Sequence, residues 1–445
     1  MDYKSYFKGK KITVMGLGLL GRGVGDAEFL ASCGADLIVT DLKSKKELDP
    51  SLKKLKRFKN IKYVLGGHRF QDFRNRDMIL KAAGVPLNSQ YIQHAKKKGI
   101  PVEMSASLFA KLSRLPVVGI TGTRGKSTVT HMIAHGLKTA GIKFILGGNI
   151  VGISNLSLLP KAKNASIAVL ELDSWQLQGF GDSKFSPHIS VFTTFYPDHM
   201  NYYGNKMKHY FTDKAAIFKY QKKGDILIVG NQAFPFIKKM GGNFSSNVIK
   251  SSSKLPKGFS VSIPGEHNEY NASLAIDVLR ALDLKDSIIK KALKSFNGVP
   301  GRLELLKEAG GVRYYNDTTA TTPEATVAAL KALGSKNSGG KKVILIMGGS
   351  DKGLDMTKLI LVLEKFSKSV ILLSGSGTEI VKPIISKFKV FAGEFSSLED
   401  SLKKARELAK KGDIVLFSPA FASFGMFKNE FDRGEQFNKL VKKFK

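Results

Sequence analysis

Short apolar runs of strand length recur along the chain, separated by longer stretches whose apolar positions return every three or four residues. Residues 12–15, 117–120, 167–172, 189–193, 312–315, 343–347, 370–374 and 414–418 read as strands. Helical patterns follow the first strand through Leu30, cover 129–139, and begin again at Asn268. Strands alternating with helices predict an α/β fold of parallel sheets covered by helices. Breaks in the pattern divide the chain into three domains, 1–104, 105–300 and 301–445, the last opening after Gly298-Val299-Pro300-Gly301. Segments 245–257 and 335–342, rich in Ser, Asn, Gly and Lys, read as loops, and no internal repeat is visible.

The 445 residues are more than one core usually serves, which agrees with several domains. No apolar run approaches the eighteen or so residues that span a bilayer. The polar, basic stretch 1–11 has no apolar segment behind it, so a secretory signal is not expected. The single cysteine, Cys33, excludes an intrachain disulfide and a multi-cysteine metal site. A cytoplasmic monomer is the expectation. Lys and Arg outnumber Asp and Glu by 71 to 37, a net charge of +34, which raises the question of nucleic acid. The lysines are scattered, however, as at 53–59, 96–98 and 442–445, and no basic run is interleaved with aromatics. A solvated basic surface acting on polyanionic small molecules fits better than a nucleic-acid partner.

Candidate chemistry is densest after the strand 117–120. Gly122, Thr123, Arg124 and Gly125 form a turn before Lys126, Ser127 and Thr128, which open a helix. Glycines let backbone N–H groups face phosphate oxygens, the helix N-terminus adds a favourable field, Lys126 a point charge, and Ser127 a hydroxyl for Mg²⁺. A nucleoside triphosphate is the expected ligand. Glu171, at the carboxyl end of strand 167–172, sits where open α/β sheets bind ligands.

The compact T-G-T-x-G-K-S form resembles the Mur ligase and folylpolyglutamate synthetase superfamily, and further segments agree in order over nearly the whole chain. The resemblance implies a Rossmann-like N-terminal domain, a central P-loop-type ATPase sheet and a C-terminal Rossmann-like domain. It also implies ATP-dependent coupling of a carboxylate to an amine through an acyl-phosphate and a tetrahedral intermediate. By the same resemblance Lys126, Glu171, His199 and Lys214 are catalytic. Mg²⁺ would be held by Ser127, Glu171, His199 and, as a lysine carbamate, Lys214. Asn268, Asn271, Arg302 and Asp317 would join residues 122–128 in binding ATP. Asp173, Asn201, Thr319 and Glu430 stand where the family usually has Ser, Asp, Lys and an aromatic.

In the first domain, Gly16-Leu17-Gly18-Leu19-Leu20-Gly21 with Asp41 ending the next strand satisfies a dinucleotide fingerprint. Alone it reads as an NAD-dependent dehydrogenase; the physics is a diphosphate at a helix N-terminus with a sugar near an acid, which a UDP-sugar also presents. The G-L-G-x-x-G start and Gly84-Val85-Pro86 resemble the D-glutamate-adding branch of the family, which acts in peptidoglycan precursor synthesis. That likeness implies contacts to UDP-N-acetylmuramoyl-L-alanine from Gly18, Leu19, Leu20, Asp41, Asn149 and Gln176. It assigns D-glutamate to Thr321, Lys352, Ser423 and Phe431. Another Mur-type ligase, with a different amino acid, is the first alternative.

Overall fold

The computed structural model describes residues 2–19, 21–150, 152–200, 202–240, 244–334 and 342–444. Three sheets organise the chain. The first joins β1 (Lys11–Met15), β2 (Asp36–Asp41), β3 (Ile61–Leu65), β4 (Met78–Lys81) and β5 (Val102–Glu103) in the order β3-β2-β1-β4-β5, all parallel. The second joins β6 (Val117–Thr121), β7 (Phe144–Gly148), β8 (Ile167–Glu171), β9 (Ile189–Phe192), β10 (Ile226–Gly230) and β11 (Asn247–Ser251) in the order β11-β10-β9-β6-β8-β7, again parallel.

The third comprises β12 (Glu304–Ala309), β13 (Val312–Asn316), β14 (Val343–Gly348), β15 (Ser367–Leu373), β16 (Phe391–Phe395) and β17 (Ile414–Phe417), ordered β12-β13-β17-β14-β15-β16. Only β12 runs antiparallel, paired with β13 through a two-residue turn at Gly310-Gly311. Central strands are buried at every position, as in β6, β8 and β14, because helices cover both faces. This explains why they read as continuous apolar runs.

By packing, the chain forms two compact units. Residues 1–259 and 270–293 hold the first two sheets; 260–269 and 294–445 hold the third. The first two sheets share one apolar core, which runs from Phe7 and Leu37 through Phe109, Leu156 and Phe180 to Ile237. That shared burial is what fuses them. One expected loop is corrected: 245–257 contains β11, an edge strand whose mixed composition hides it because only one side is paired. Of the other expected loop, 335–341 lies outside the described residues. Among the described residues no helix is long and apolar enough to cross a membrane.

Candidate active site

The order of the second sheet sets the site. β6 is flanked by β8 and β9, so the turn after β6, Glu171 at the end of β8 and the segment after β9 meet at the carboxyl edge. β6 leads through Gly122–Gly125 into the helix Lys126–Thr139, whose Val129, Met132, Ile133 and Leu137 are buried. Two glycines of the turn are irreplaceable. Gly122 has φ +138°, and a Cβ there would lie 2.0 Å from Thr193 Oγ1; Gly125 has φ +89°, and a Cβ would lie 2.4 Å from Asn271 Oδ1. The turn is pinned from the β9 side. Thr123 N–H donates to Thr194 O at 2.7 Å, Arg124 N–H to Thr194 Oγ1 at 2.9 Å, and Tyr196 N–H to Thr123 Oγ1 at 3.0 Å. Lys126 Nζ donates to the carbonyls of Gly122 and Thr123, both at 3.0 Å. Ser127 and Thr128 occupy the first helical turn, half-buried.

Lys214, on the helix Met207–Ala215, reaches the same turn: it is 1% exposed, and its Nζ donates to Gly122 O at 2.9 Å and Thr121 Oγ1 at 3.3 Å. Burial, and then the charge of Lys126, drive its amine well below the ordinary lysine value. Glu171 is buried, and its carbonyl accepts the Asn149 N–H at 2.6 Å. Asp173 caps the helix Ser174–Asp182, accepting the Gln176 N–H at 2.7 Å while Gln176 Oε1 reaches back to its N–H. Aspartate is as good a cap as the serine it replaces, which accounts for that departure. His199 is held at φ +53° with its ring 4.8 Å from that of Trp175. Among the described residues no three His, Cys, Asp or Glu side chains form a ready-made metal cage.

A cleft of about 780 Å³ extends from this edge to the carboxyl ends of β1, β2 and β4. Gly18, Leu19, Asp41, Lys126, Asn149, Gln176 and His199 all line it, so the fold gathers most of the residues expected at the UDP-substrate with the phosphate-loop lysine. Leu20 lies outside the described residues. Asp41 is placed differently from a simple sugar acceptor: its carboxylate accepts N–H groups of Leu17, Gly18 and Lys43 at 2.8, 3.0 and 2.9 Å, bracing the glycine turn. The cleft also contains Arg22, Asp26, Lys81 and Trp175, which the motif reading passed over. Lys81 is buried, donates to Val85 O at 2.8 Å, and is pushed down to about 8 by burial. Its position at a strand end was the available signal.

In the second unit, Lys352 Nζ donates to Thr321 Oγ1 at 3.1 Å, and a bridge between Ser350 and Ala422 brings Ser423 alongside. Thr318 Oγ1 donates to Glu430 O at 2.8 Å, placing the start of the helix Glu430–Lys442, with exposed Phe431, beside the same loop. Arg433, fully buried, ties these loops by donating to Thr318 O at 2.8 Å and Phe421 O at 3.2 Å. Arg302 is exposed between buried Gly301 and Leu303. Asp317 is 6% exposed, accepts from Leu303 N–H at 3.0 Å and Ser418 Oγ at 2.7 Å, and is pushed up to about 7 by burial. Both its oxygens are already bonded, so it braces the turn that presents Arg302; a ribose there would have to share them. Asn268 donates to Pro264 O at 2.7 Å in this unit, while Asn271, one helical turn on, belongs to the first unit at Gly125.

Family models match in three successive segments: a Mur ligase MurD-like N-terminal domain over 10–103, a Mur ligase middle domain over 120–279, and a Mur ligase glutamate ligase domain over 301–421. The chain is 39% identical to a UDP-N-acetylmuramoylalanine–D-glutamate ligase of Borreliella burgdorferi, covering 98% of each chain. It is 35% identical to the enzyme of that name from Roseiflexus sp., covering 98% of this chain and 99% of the relative. Among solved structures, UDP-N-acetylmuramate–alanine ligase of Thermotoga maritima shares the fold with TM-score 0.61 at 18% identity, over 97% of this chain and 99% of that one. MurF ligase of the same organism, in complex with ADP, gives 0.59 at 18% identity, over 99% and 97%. With identity at this level over almost its full length, and all three domain types in order, the chain belongs to the Mur ligase family.

Proposed function

We propose that this chain couples D-glutamate to UDP-N-acetylmuramoyl-L-alanine at the expense of ATP, in peptidoglycan precursor synthesis. The observation that carries the reaction type is the turn 122–125, pinned to β9, with Lys126 and Lys214 both on the Gly122 carbonyl. The substrates rest on the names of the relatives that match over nearly the whole chain. In this reading the domains divide near residues 104 and 300.

The alanyl carboxylate attacks the γ-phosphorus of ATP, the bond to the β-phosphate oxygen breaks, and ADP leaves. The α-amino group of D-glutamate then adds to the carbonyl carbon of the acyl-phosphate, giving a tetrahedral intermediate. Its collapse breaks the carbon–oxygen bond to phosphate, and the amine proton is lost. Lys126 offsets charge on the transferring phosphoryl group, and the N-terminus of the helix Lys126–Thr139 orients it. The family resemblance assigns Arg302 to the γ-phosphate and Asn268, Asn271 and Asp317 to the nucleoside side. Lys352, Thr321, Ser423 and Phe431 receive D-glutamate, where the cation and hydroxyls match its carboxylates.

The chemistry of the donors fits Mg²⁺. Glu171 is a buried carboxylate at the sheet edge, with the Ser127 hydroxyl at the start of the helix after β6 and His199 on the segment after β9. Mg²⁺ commonly takes one or two protein carboxylates and completes its shell with phosphate oxygens and water. When bound there it would neutralise phosphate charge. A neutral Lys214 amine is the form that adds CO₂, so a carbamate at Lys214 would supply anionic oxygen beside the turn.

The test is release of ADP that requires both the UDP-muramoyl precursor and D-glutamate, with D-glutamate appearing in the product. ADP release driven instead by another amino acid would move the assignment to another Mur-type ligase. Nicotinamide dinucleotide binding without ligation would favour the dehydrogenase reading of the first domain.

A further inference from the structure

Arg22 occupies the first position of the helix Arg22–Ser32, directly after the glycine turn and its left-handed cap Gly21. It lines the cleft, and its Nη1 donates to Asn149 Oδ1 at 2.6 Å. Asn149 lies just after β7 in the second sheet, and its own N–H is fixed on the Glu171 carbonyl at 2.6 Å. One guanidinium therefore links the diphosphate-type turn of the first sheet to the strand end that carries Glu171.

Lys43, Lys81 and Lys126 also line the cleft, but Arg22 is the cation that stands at the start of the helix after the glycine turn with its side chain oriented by Asn149. The three carboxylates of the cleft are satisfied from within the protein: Asp41 by backbone N–H groups, Asp173 by the Gln176 N–H, and Asp26 by Ser105 Oγ and Ser154 Oγ, both at 2.6 Å. Asn149 is a neutral partner that orients the guanidinium without cancelling its charge, and it accepts one of five N–H donors. A planar fork at a helix N-terminus suits a diphosphate.

We infer that Arg22 is a binding residue for the diphosphate of the uridine substrate, and that through Asn149 it positions the acyl end of that substrate against the phosphate loop. This rests on the proposed function. Calorimetric titration of the full chain with UDP, uridine and ATP separates the possibilities. Arg22→Ala should weaken UDP about 10- to 100-fold, leaving uridine and ATP unchanged, and Arg22→Lys should recover part of the loss. Arg22→Gln, compared by thermal melting, guards against a folding defect in the alanine variant. If Arg22 acts through Asn149, Arg22→Ala and Asn149→Ala combined should raise KM for the UDP-muramoyl precursor by less than the product of the separate effects. UDP affinity within twofold of wild type in both Arg22→Ala and Arg22→Gln, or equal losses for uridine and ATP, would overturn the binding role; multiplicative effects on KM would overturn the positioning role. Failure of the wild type to bind UDP would instead remove the functional reading.

Discussion

Lys126 and Lys214 share one acceptor: their Nζ atoms lie 3.0 and 2.9 Å from the carbonyl oxygen of Gly122. Burial disfavours an ammonium at Lys214, and the charge of Lys126 adds to the effect, so the Lys214 amine is held well below the ordinary lysine value. A neutral amine is nucleophilic toward CO₂. We predict that protein equilibrated with ¹³C-bicarbonate near pH 8 shows a carbamate carbonyl resonance in NMR that is absent from Lys214→Arg. Ligation by that variant should fall about 100-fold or more, a transition-state loss of roughly 2.7 kcal/mol. As pH falls through the depressed amine value the amine protonates, so resonance and activity should decline together.

Gly125 tests the turn itself. Any side chain there meets the Asn271 carboxamide and must adopt a left-handed backbone. Gly125→Ala is expected to cost roughly 1–2 kcal/mol in backbone strain alone. KM for ATP should therefore rise about tenfold or more, with little change in UDP binding, as measured by steady-state kinetics and titration.

Asp26 is buried beneath the cleft and pushed up to about 6, mainly by burial. Between pH 4 and 6 the native protein retains a proton that the unfolded chain has released, so this group lowers stability as pH rises through that window. Above it the penalty is complete. Asp26→Asn removes the titration and keeps an oxygen for Ser105 and Ser154. Its thermal midpoint relative to wild type should climb from pH 4 to pH 6.5 and then level off, with a span of up to about 3 kcal/mol. A constant difference across that range would contradict the assignment.

Asp173 serves as a helix cap, so restoring serine should be nearly neutral in stability, within about 0.5 kcal/mol. Asp173→Ala should cost about 1 kcal/mol through loss of the bond to the Gln176 N–H. Chemical denaturation of the three proteins side by side would check this.

The alternation of apolar runs and helical stretches determined the α/β class, because parallel strands buried on both faces leave uninterrupted apolar segments such as 117–121 and 343–348. The turn glycines Gly16, Gly18, Gly21, Gly122 and Gly125 were legible for a local reason: their left-handed backbone conformations disfavour a side chain. What local sequence could not decide was burial and partnership between distant residues. Lys214 was singled out only by the family resemblance; its burial and its place under the turn at Gly122 come from the fold. The fold likewise supplies the partners of Asp41 and Asp317, whose oxygens are taken by N–H and hydroxyl groups of other segments, and of Arg22, which meets Asn149 across 127 residues of chain. Tertiary structure also decided that the first two sheets share one apolar core, since that depends on which helix faces meet.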